Sequence, residues 1–331
     1  MSWQIWILTL LGIAGLIALD FVTISHKAHL VMFREAAWMS AFYVGISVLF
    51  GVFLLAWQGA AFGEQFFAAY LVEKSLSVDN LFVFIVILTT FAVPAYLHQR
   101  ILLFGIVLAL AFRGVFIAFG VAAITMFSFT FVLFGALLIW TGIQLGRHRD
   151  QDPDPLDNFV MRRITKRFPM GRDYSGAKLL THDEGRLGPT PLLMVLIAIG
   201  ATDVLFALDS IPASFGVTQE AYIVFTANAF ALLGLRALYF LLKGLLDKLV
   251  YLSTGLAVIL TFIGIKMVLI FAHEKVPQIP EIPTGLSLLV IALVLVIVTV
   301  ASLIKVRHDP TAVGHAGRVI GPHEDNVDRN S

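Results

Sequence analysis

The chain has 331 residues, of which 59% are hydrophobic and only 14% are charged, and its formal net charge is +1. Ordinary soluble domains are about 45–50% apolar and ~25% charged, so this composition excludes a soluble globular protein. The near-zero net charge also gives no reason to expect a nucleic-acid partner. Because the sequence contains no cysteine, disulfides, thiolate metal sites and cysteine nucleophiles are excluded.

Nine apolar stretches are long enough to cross a lipid bilayer as helices, and they predict an all-α polytopic membrane protein. The predicted spans cover about 5–24, 36–57, 65–91, 100–120, 122–146, 191–217, 220–246, 250–272 and 284–305. The first is not a cleaved signal, because it lacks a basic start and its apolar run is too long. The spans form a predicted transmembrane domain over 1–305, followed by a disordered cytoplasmic tail over 306–331.

Lysine and arginine concentrate in alternate loops, which predicts the orientation of the chain. The long polar loop 147–190, between spans five and six, holds nine of them from Arg147 to Arg186. Because basic loops remain in the cytoplasm, this loop and the C-terminus should face the cytoplasm and the N-terminus should lie outside. The expected location is the plasma membrane.

Carboxylates interrupt two of the apolar spans at the same spacing. The stretch "EKSLSVDNLF" in span 3 contains Glu73 and Asp79, and "TDVLFALDSIP" in span 6 contains Asp203 and Asp209. Each carboxylate costs about 2.5–3.5 kcal/mol at the centre of a spanning helix, so something must offset the charge. Four intramembrane cations are available as counter-charges: Lys74, Arg113, Arg236 and Lys266. The acids could therefore form structural ion pairs, or they could line a path for a cation.

Spans 3–5 (about 65–146) and spans 6–8 (about 191–272) share three features in the same order. Each begins with an acidic motif, and each continues with one intramembrane arginine, Arg113 or Arg236. Each ends with a related segment, "WTGIQL" in the first and "FIGIKM" in the second. Span 6 enters the membrane from the side opposite to span 3, so these are predicted inverted repeats, an arrangement typical of transporters.

The spacing of the acids constrains their roles. Six residues of helix correspond to roughly 9 Å of rise and about 240° of rotation, so Glu73 and Asp79 cannot bind one ion on an intact helix. Inverted symmetry predicts a central site made of four side chains: Asp79, Asn80, Asp209 and Ser210. Glu73 would then lie towards the outside and Asp203 towards the inside, as flanking steps. Pro212 removes a backbone donor and predicts a kink or break in span 6 beside Asp209.

The available ligands favour a hard divalent cation. All nine histidines fall in loops, span ends or the tail, so no nitrogen or sulfur ligand is expected in mid-membrane. Carboxylate, amide, hydroxyl and carbonyl oxygens suit Mn²⁺, Mg²⁺ or Ca²⁺ rather than zinc or copper. No tightly bound cofactor is expected, and the ion would be a transported substrate.

The motifs "EKSLSVDNLFVF", "RGVFI", "TPLLMVL" and "TDVLFALDSIPA" closely resemble the TerC family of integral membrane proteins, over about residues 20–305. The resemblance implies manganese efflux, including metal supply to exported enzymes, and it is also associated with tellurite resistance or thylakoid membrane biogenesis. It implies site residues at the positions that match the family's acidic motifs: Asp20, Asp79, Asn80, Asp203, Asp209 and Ser210. The chain departs from many members at Gly200, where they carry an acid.

The sequence therefore predicts a transporter that exports a divalent cation, expected to be Mn²⁺, by alternating access between two repeats. No catalytic triad or nucleotide motif suggests an enzyme. Two alternatives stay open: a non-transporting membrane scaffold or assembly factor, and an exporter of amino acids or other small charged solutes. Asp20 could lie on the cation path or at the inner interface. The oligomeric state does not follow from the sequence.

Overall fold

The computed structural model describes residues 3–25, 33–91, 93–147, 180–183, 186–242 and 249–309. Ten helices lie within these ranges: α1 (Trp3–Ser25), α2 (Phe33–Gln58), α3 (Ala60–Thr90), α4 (Ala95–Met126), α5 (Thr130–Arg147), α6 (Pro191–Val217), α7 (Ala221–Leu233), α8 (Leu235–Leu242), α9 (Leu252–Lys275) and α10 (Thr284–His308). Strands β1 (Leu180–Asp183) and β2 (Arg186–Pro189) form a short antiparallel hairpin.

The predicted all-α membrane fold is confirmed. Within the described ranges, eight stretches of helix are long and apolar enough to cross a membrane, and α7 and α8 together supply one of them. The ninth predicted span is α3, which has 31 residues and holds the charged stretch. Its charges, Glu64, Glu73, Lys74 and Asp79, set it apart from the other eight.

Local sequence signals explain several helix boundaries. Gly59 separates α2 from α3 with a φ of 98°, a left-handed conformation that glycine adopts without the penalty of a Cβ atom. Helix α6 begins at "TP": the Thr190 side chain accepts a hydrogen bond from the Leu193 N–H, and Pro191 occupies the first turn.

Two local expectations differ from the structure. A kink or break was expected beside Asp209; helix α6 is continuous through Pro212, so a break does not occur and the kink stays a prediction. A single proline removes one backbone hydrogen bond, which neighbouring packing can compensate. Span 7 was predicted as one helix, but it divides at Gly234 into α7 and α8. A Cβ atom at Gly234 would lie 3.2 Å from both the Lys74 Nζ and the Tyr43 Cβ, so glycine permits this close approach.

Helices α3, α6, α7 and α9 form the interior of the bundle. In the apolar stretch 221–241, 83% of the residues of the most apolar part are buried. The corresponding shares in α1 and α10 are 11% and 17%, and these helices present apolar side chains outward. Helix α3 packs against α7, and α4 packs against α6. The first helix of each predicted repeat therefore contacts the second helix of the other repeat.

The third helices of the two repeats, α5 and α9, pack most closely. A Cβ atom at Gly142 would lie 2.9 Å from the Ala257 carbonyl oxygen, and one at Gly264 would lie 2.7 Å from the Gly135 carbonyl oxygen. The alignment of "WTGIQL" with "FIGIKM" exchanges these two contacts, because it pairs residue 142 with 264 and 135 with 257. The exchange supports a two-fold relation between the helices, and the inverted repeat stays a prediction.

Parts of two other predictions lie outside the described residues. These are most of the 147–190 loop, apart from the hairpin, and the tail from residue 310. Helix α10 continues to His308, three residues beyond the predicted end of the last span.

Candidate functional site

Two polar faces meet in the interior of the bundle. On α3, Glu73, Ser77 and Asn80 follow one another at helical spacing, so they lie on one face. Helix α6 presents a corresponding face with Asp203, Ser210 and Ser214. Glu73 and Asp203 lie near the middle of their helices, and all six residues are buried.

Arg113 on α4 joins the two faces. Its Nη1 donates to Glu73 Oε2 at 2.7 Å, and its Nη2 lies 3.4 Å from Asp203 Oδ1. With the Asn80 amide oriented so that its oxygen faces Arg113, that oxygen accepts from Nη2 at 3.0 Å. Arg113 and Asp203 are each 1% exposed and Glu73 is 0% exposed, so the ions are removed from water.

Glu73 has further polar neighbours on two other helices. Ser214 Oγ donates to Glu73 Oε1 at 2.8 Å, so both carboxylate oxygens are hydrogen-bonded. Asn228 on α7 is fully buried, and its amide is a further polar neighbour of the same carboxylate. We define the central cluster as Glu73, Asn80, Arg113, Asp203 and Ser214.

The central cluster is not fully satisfied. Asp203 Oδ2 has no hydrogen-bond partner, and the hydroxyl groups of Ser77 and Ser210 also lack one. By contrast, the nearby hydroxyls of Ser75 and Thr202 donate to carbonyl oxygens of their own helices. With both acids ionised, two carboxylates face one guanidinium, so the cluster carries one excess negative charge.

The arrangement is compatible with the predicted order of the acids. Glu73 accepts a hydrogen bond from Ser214, which lies eleven residues beyond Asp203 on α6, so Glu73 and Asp203 lie at different levels of that helix. The Arg113 guanidinium contacts both acids, a link that the sequence did not predict. The two-fold axis and the order of the acids around it stay predictions.

The other pair of acids lies within the same stretches of the two helices, since Asp79 directly precedes Asn80 on α3 and Asp209 lies between Asp203 and Ser214 on α6. Asp209 is half-buried and follows the exposed side chains of Leu205 and Leu208. It makes no ion pair with any side chain that the structure describes. Position 79 lies within α3, but the Asp79 side chain is outside the described ones. The predicted contact between Asp79 and Asp209 stays a prediction.

Asp20 forms a second buried ion pair, distinct from the central cluster. Arg236 Nη2 donates to Asp20 Oδ1 at 2.8 Å, and the Tyr43 hydroxyl donates to the same oxygen. Helices α1, α2 and α8 are thereby tied together. Arg113 and Arg236 occupy corresponding positions in the predicted repeats, yet among the acids whose side chains the structure describes, Arg113 contacts Glu73 and Asp203 whereas Arg236 contacts Asp20.

The two intramembrane lysines are not partners of the central acids. Lys74 Nζ donates to the Ala231 carbonyl at 3.2 Å, in the last turn of α7. That carbonyl is available because the helix ends at Gly234, and a cation is favourable at a helix C-terminus. Lys266 is buried and lines a cavity at the other end of the bundle.

This cavity has a volume of about 330 Å³ and lies where α3, α7 and α10 begin and α6 and α9 end. Its polar lining comes from seven residues: Gln65, Thr218, Gln219, Glu220, Lys266, Glu281 and Thr284. Part of its wall is the segment 215–217, which directly follows Ser214 of the central cluster. By the predicted orientation this cavity opens to the outside.

The position at which the chain departs from the family pattern is closely packed. A Cβ atom at Gly200 would lie 2.8 Å from Leu108 Cδ2 and 3.6 Å from Phe112 Cε2, both on α4. A side chain at this position would require the Leu108 side chain to move.

Among the side chains that the structure describes, no three acidic or histidine side chains come together as a preformed metal site. The sequence analysis missed three polar residues that the structure places at the buried ion pairs: Tyr43, Ser214 and Asn228. Ser214 follows Asp203 by eleven residues on the same helix face, so helical spacing could have identified it.

Comparisons with known proteins agree with this membrane architecture. The sequence model of the integral membrane protein TerC family matches residues 58–309, more than half of the chain. An uncharacterized membrane protein of Mycobacterium tuberculosis is 46% identical over 319 residues, covering 92% of this chain and 80% of that protein. The thylakoid membrane protein TERC of Arabidopsis thaliana chloroplasts is 41% identical over 231 residues, covering 70% of this chain and 60% of that protein.

A further relative is the membrane protein Alx of Escherichia coli O157:H7, described as a proposed membrane-bound redox modulator. It is 36% identical over 313 residues, covering 91% of this chain and 95% of that protein. No solved structure matches the chain. The family match, the similarity along nearly the whole length and the eight apolar spans together show that this chain is a member of the TerC family of integral membrane proteins.

Proposed function

We propose that this protein exports a divalent cation across the plasma membrane, and that its substrate is Mn²⁺. The observation that carries the proposal is the central cluster, in which the carboxyl groups of Glu73 and Asp203, from two helices, are buried inside the bundle against a single guanidinium. Buried charges within a membrane are costly and usually mark ion paths or relays. A passing cation offsets that cost, which a purely structural cluster of this charge does not explain.

The chemistry of the cluster supports Mn²⁺ as the substrate. Its acceptor groups are carboxylate, amide and hydroxyl oxygens, and no histidine lies among them. Oxygen ligands favour Mn²⁺, Mg²⁺ or Ca²⁺ over copper and zinc. The resemblance of the acidic motifs to a family associated with manganese efflux selects Mn²⁺ from these three.

The proposed path runs from the cytoplasmic side to the cluster and leaves through the outer cavity. Asp79 directly precedes Asn80 on α3, and Asp209 lies between Asp203 and Ser214 on α6, so both acids add negative charge along the proposed path. The cavity wall at 215–217 separates the outside from Ser214. The path is closed in this structure, so transport requires the two repeats to move relative to one another.

A second candidate function, a membrane scaffold, is favoured by the Asp20–Arg236 pair. That pair is neutral, buried and hydrogen-bonded to Tyr43, so it ties helices together without attracting a cation. A thiol-based redox role is not supported, because this sequence contains no cysteine. The central cluster differs from the Asp20 pair by its excess charge and its unpaired Asp203 oxygen.

Metal content in growing cells tests the proposal. In a host that lacks its own exporters, expression should lower cellular manganese and relieve manganese toxicity more than zinc or copper toxicity. The matched control is the Glu274→Gln variant, which removes an exposed charge beside Lys275 and should behave like the wild type. Equal protection against copper or zinc would contradict the argument from oxygen ligands.

A further inference from the structure

We propose that Arg113 is the built-in competitor of the transported cation: its guanidinium occupies the cation position between Glu73 and Asp203, and the cation binds by displacing it. This inference rests on the proposed transport function. It adds a role for a residue that is not itself a ligand, and it defines this structure as the ion-free, closed state.

The contacts of Arg113 support the exchange. Its two terminal nitrogens contact Glu73 Oε2 at 2.7 Å, Asn80 Oδ1 at 3.0 Å and Asp203 Oδ1 at 3.4 Å. These are three oxygen atoms from two helices, of the kinds that coordinate Mn²⁺ and Ca²⁺. A guanidinium centred among them therefore takes the place of a metal ion, at longer distances than the roughly 2.0–2.6 Å of metal–oxygen bonds.

The contacts are unequal, which identifies where the exchange begins. The contact with Glu73 has the length of a strong charge-assisted hydrogen bond, whereas the contact with Asp203 is 0.7 Å longer, the difference between 3.4 and 2.7 Å. Asp203 Oδ2 is buried and has no partner. An arriving cation can thus bind Asp203 first, while Arg113 remains on Glu73.

Unpaired polar groups around the cluster supply an independent reason to expect a ligand. Among the described side chains, Ser77 and Ser210 carry buried, unpaired hydroxyls on the two faces that form the cluster. Buried polar groups without partners are rare in proteins, and a cation with its own water molecules would satisfy them.

Charge explains why Arg113 must leave and which ions can displace it. Two carboxylates balance one divalent cation, so a cation and a guanidinium together would leave one excess positive charge in a site removed from water. A monovalent ion such as K⁺ carries the same charge as the guanidinium and brings fewer directed contacts. Arg113 therefore makes the site selective for divalent ions over monovalent ones.

The test measures Mn²⁺ binding to the purified full-length protein, by the loss of the electron paramagnetic resonance signal of free Mn²⁺. In Arg113→Gln the competitor is absent, so Mn²⁺ should bind on the order of tenfold more tightly than in the wild type. Its rate of Mn²⁺ transport should nevertheless fall, because nothing displaces the ion. Adding Glu73→Gln to Arg113→Gln should abolish the gain in affinity.

Arg236→Gln is the matched control, since it removes the other buried guanidinium from its carboxylate partner and should leave Mn²⁺ affinity unchanged. A second variant, Arg113→Lys, covers the case in which Arg113→Gln requires Mn²⁺ in order to fold. It keeps the positive charge but lacks the planar guanidinium, so its Mn²⁺ affinity should lie between those of the wild type and Arg113→Gln. If the wild type transports Mn²⁺ but both Arg113 variants bind it no more tightly, the exchange is overturned and the transport function stands. A wild-type protein that neither binds nor transports Mn²⁺ would overturn both.

Discussion

At the scale of single residues, the protein uses its buried charges in two different ways. The Asp20–Arg236 pair is neutral and accepts a further hydrogen bond from Tyr43, whereas the central cluster has an excess carboxylate and unpaired oxygens. Removing one member of a buried pair is costly because it leaves an uncompensated charge. The same type of substitution should therefore affect folding at one place and transport at the other.

Asp20→Asn should destabilise the fold without changing the proposed cation path. It leaves the buried Arg236 without its charged partner, at a cost of about 3–5 kcal/mol. Thermal unfolding in detergent should show a lower midpoint, and the double variant Asp20→Asn/Arg236→Gln should recover part of the loss. Transport per folded molecule should stay at the wild-type level, and its complete loss in a folded variant would place Asp20 on the cation path.

Two serines on α6 offer a matched pair. Ser214 donates to Glu73, so Ser214→Ala removes a hydrogen bond from a buried carboxylate and should cost roughly 1 kcal/mol. Ser210 has no partner in this state, so Ser210→Ala should leave thermal stability unchanged. If Ser210 binds the cation, the same variant should lower the transport rate. Wild-type transport by Ser210→Ala would remove it from the proposed ligands.

At the scale of helices, glycines determine how closely the repeats approach. The contact between α5 and α9 depends on Gly135, Gly142 and Gly264, whose missing side chains allow backbone carbonyls to approach within van der Waals distance. Small residues have this role in membrane bundles, where helix association depends on packing rather than on the hydrophobic effect. The contact fixes the third helices while leaving α3 and α6 to carry the polar faces.

Gly264→Ala should separate α5 from α9. Its Cβ atom would lie 2.7 Å from the Gly135 carbonyl oxygen, a backbone atom that cannot move alone, and such overpacking costs about 1–3 kcal/mol. Gly15→Ala is the control, because no atom lies within 4 Å of the position where a Cβ would be added in α1. Equal unfolding midpoints for the two variants would contradict the proposed role of this contact.

The sequence predicts elements better than it predicts partners. Hydrophobic length identified nine spans, and the charged stretch at Glu73 marked α3 as exceptional. Counting intramembrane charges identified Arg113 as a partner of acids, but pairing depends on how helices cross, which no spacing within one helix encodes. The sequence therefore did not predict that one guanidinium contacts both Glu73 and Asp203. Of the kink or break expected at Pro212, the break does not occur, because α6 is continuous through this residue.

At the scale of the whole molecule, the exchanged contacts of α5 and α9 suggest two-fold symmetry, while the arginines depart from it. Arg113 contacts Glu73 and Asp203, whereas Arg236 contacts Asp20 on α1, which lies outside the repeats. A transporter built from inverted repeats is expected to be asymmetric in any one state, since each repeat adopts the conformation that the other takes in the opposite state. The asymmetry is consistent with a closed conformation of such a transporter.

The orientation of the molecule in the membrane follows from its basic loops. Fusions of a reporter that is active only in the cytoplasm, placed within 147–190 or after residue 309, should both be active. A fusion before residue 3 should be inactive. The reverse pattern would make the protein an importer by the same geometry, because the cavity beside Lys266 would then face the cytoplasm.

The central claim is that Glu73 and Asp203 form the cation site, and Mn²⁺ uptake into everted membrane vesicles tests it most directly. Asp203→Asn is the informative variant, because Arg113 keeps its partner Glu73 and the cluster becomes neutral, so the fold should survive. With expression and detergent stability near wild type, Asp203→Asn should abolish uptake, Asp209→Asn should slow it, and Glu274→Gln should leave it unchanged. Wild-type uptake by a folded Asp203→Asn protein would contradict the account.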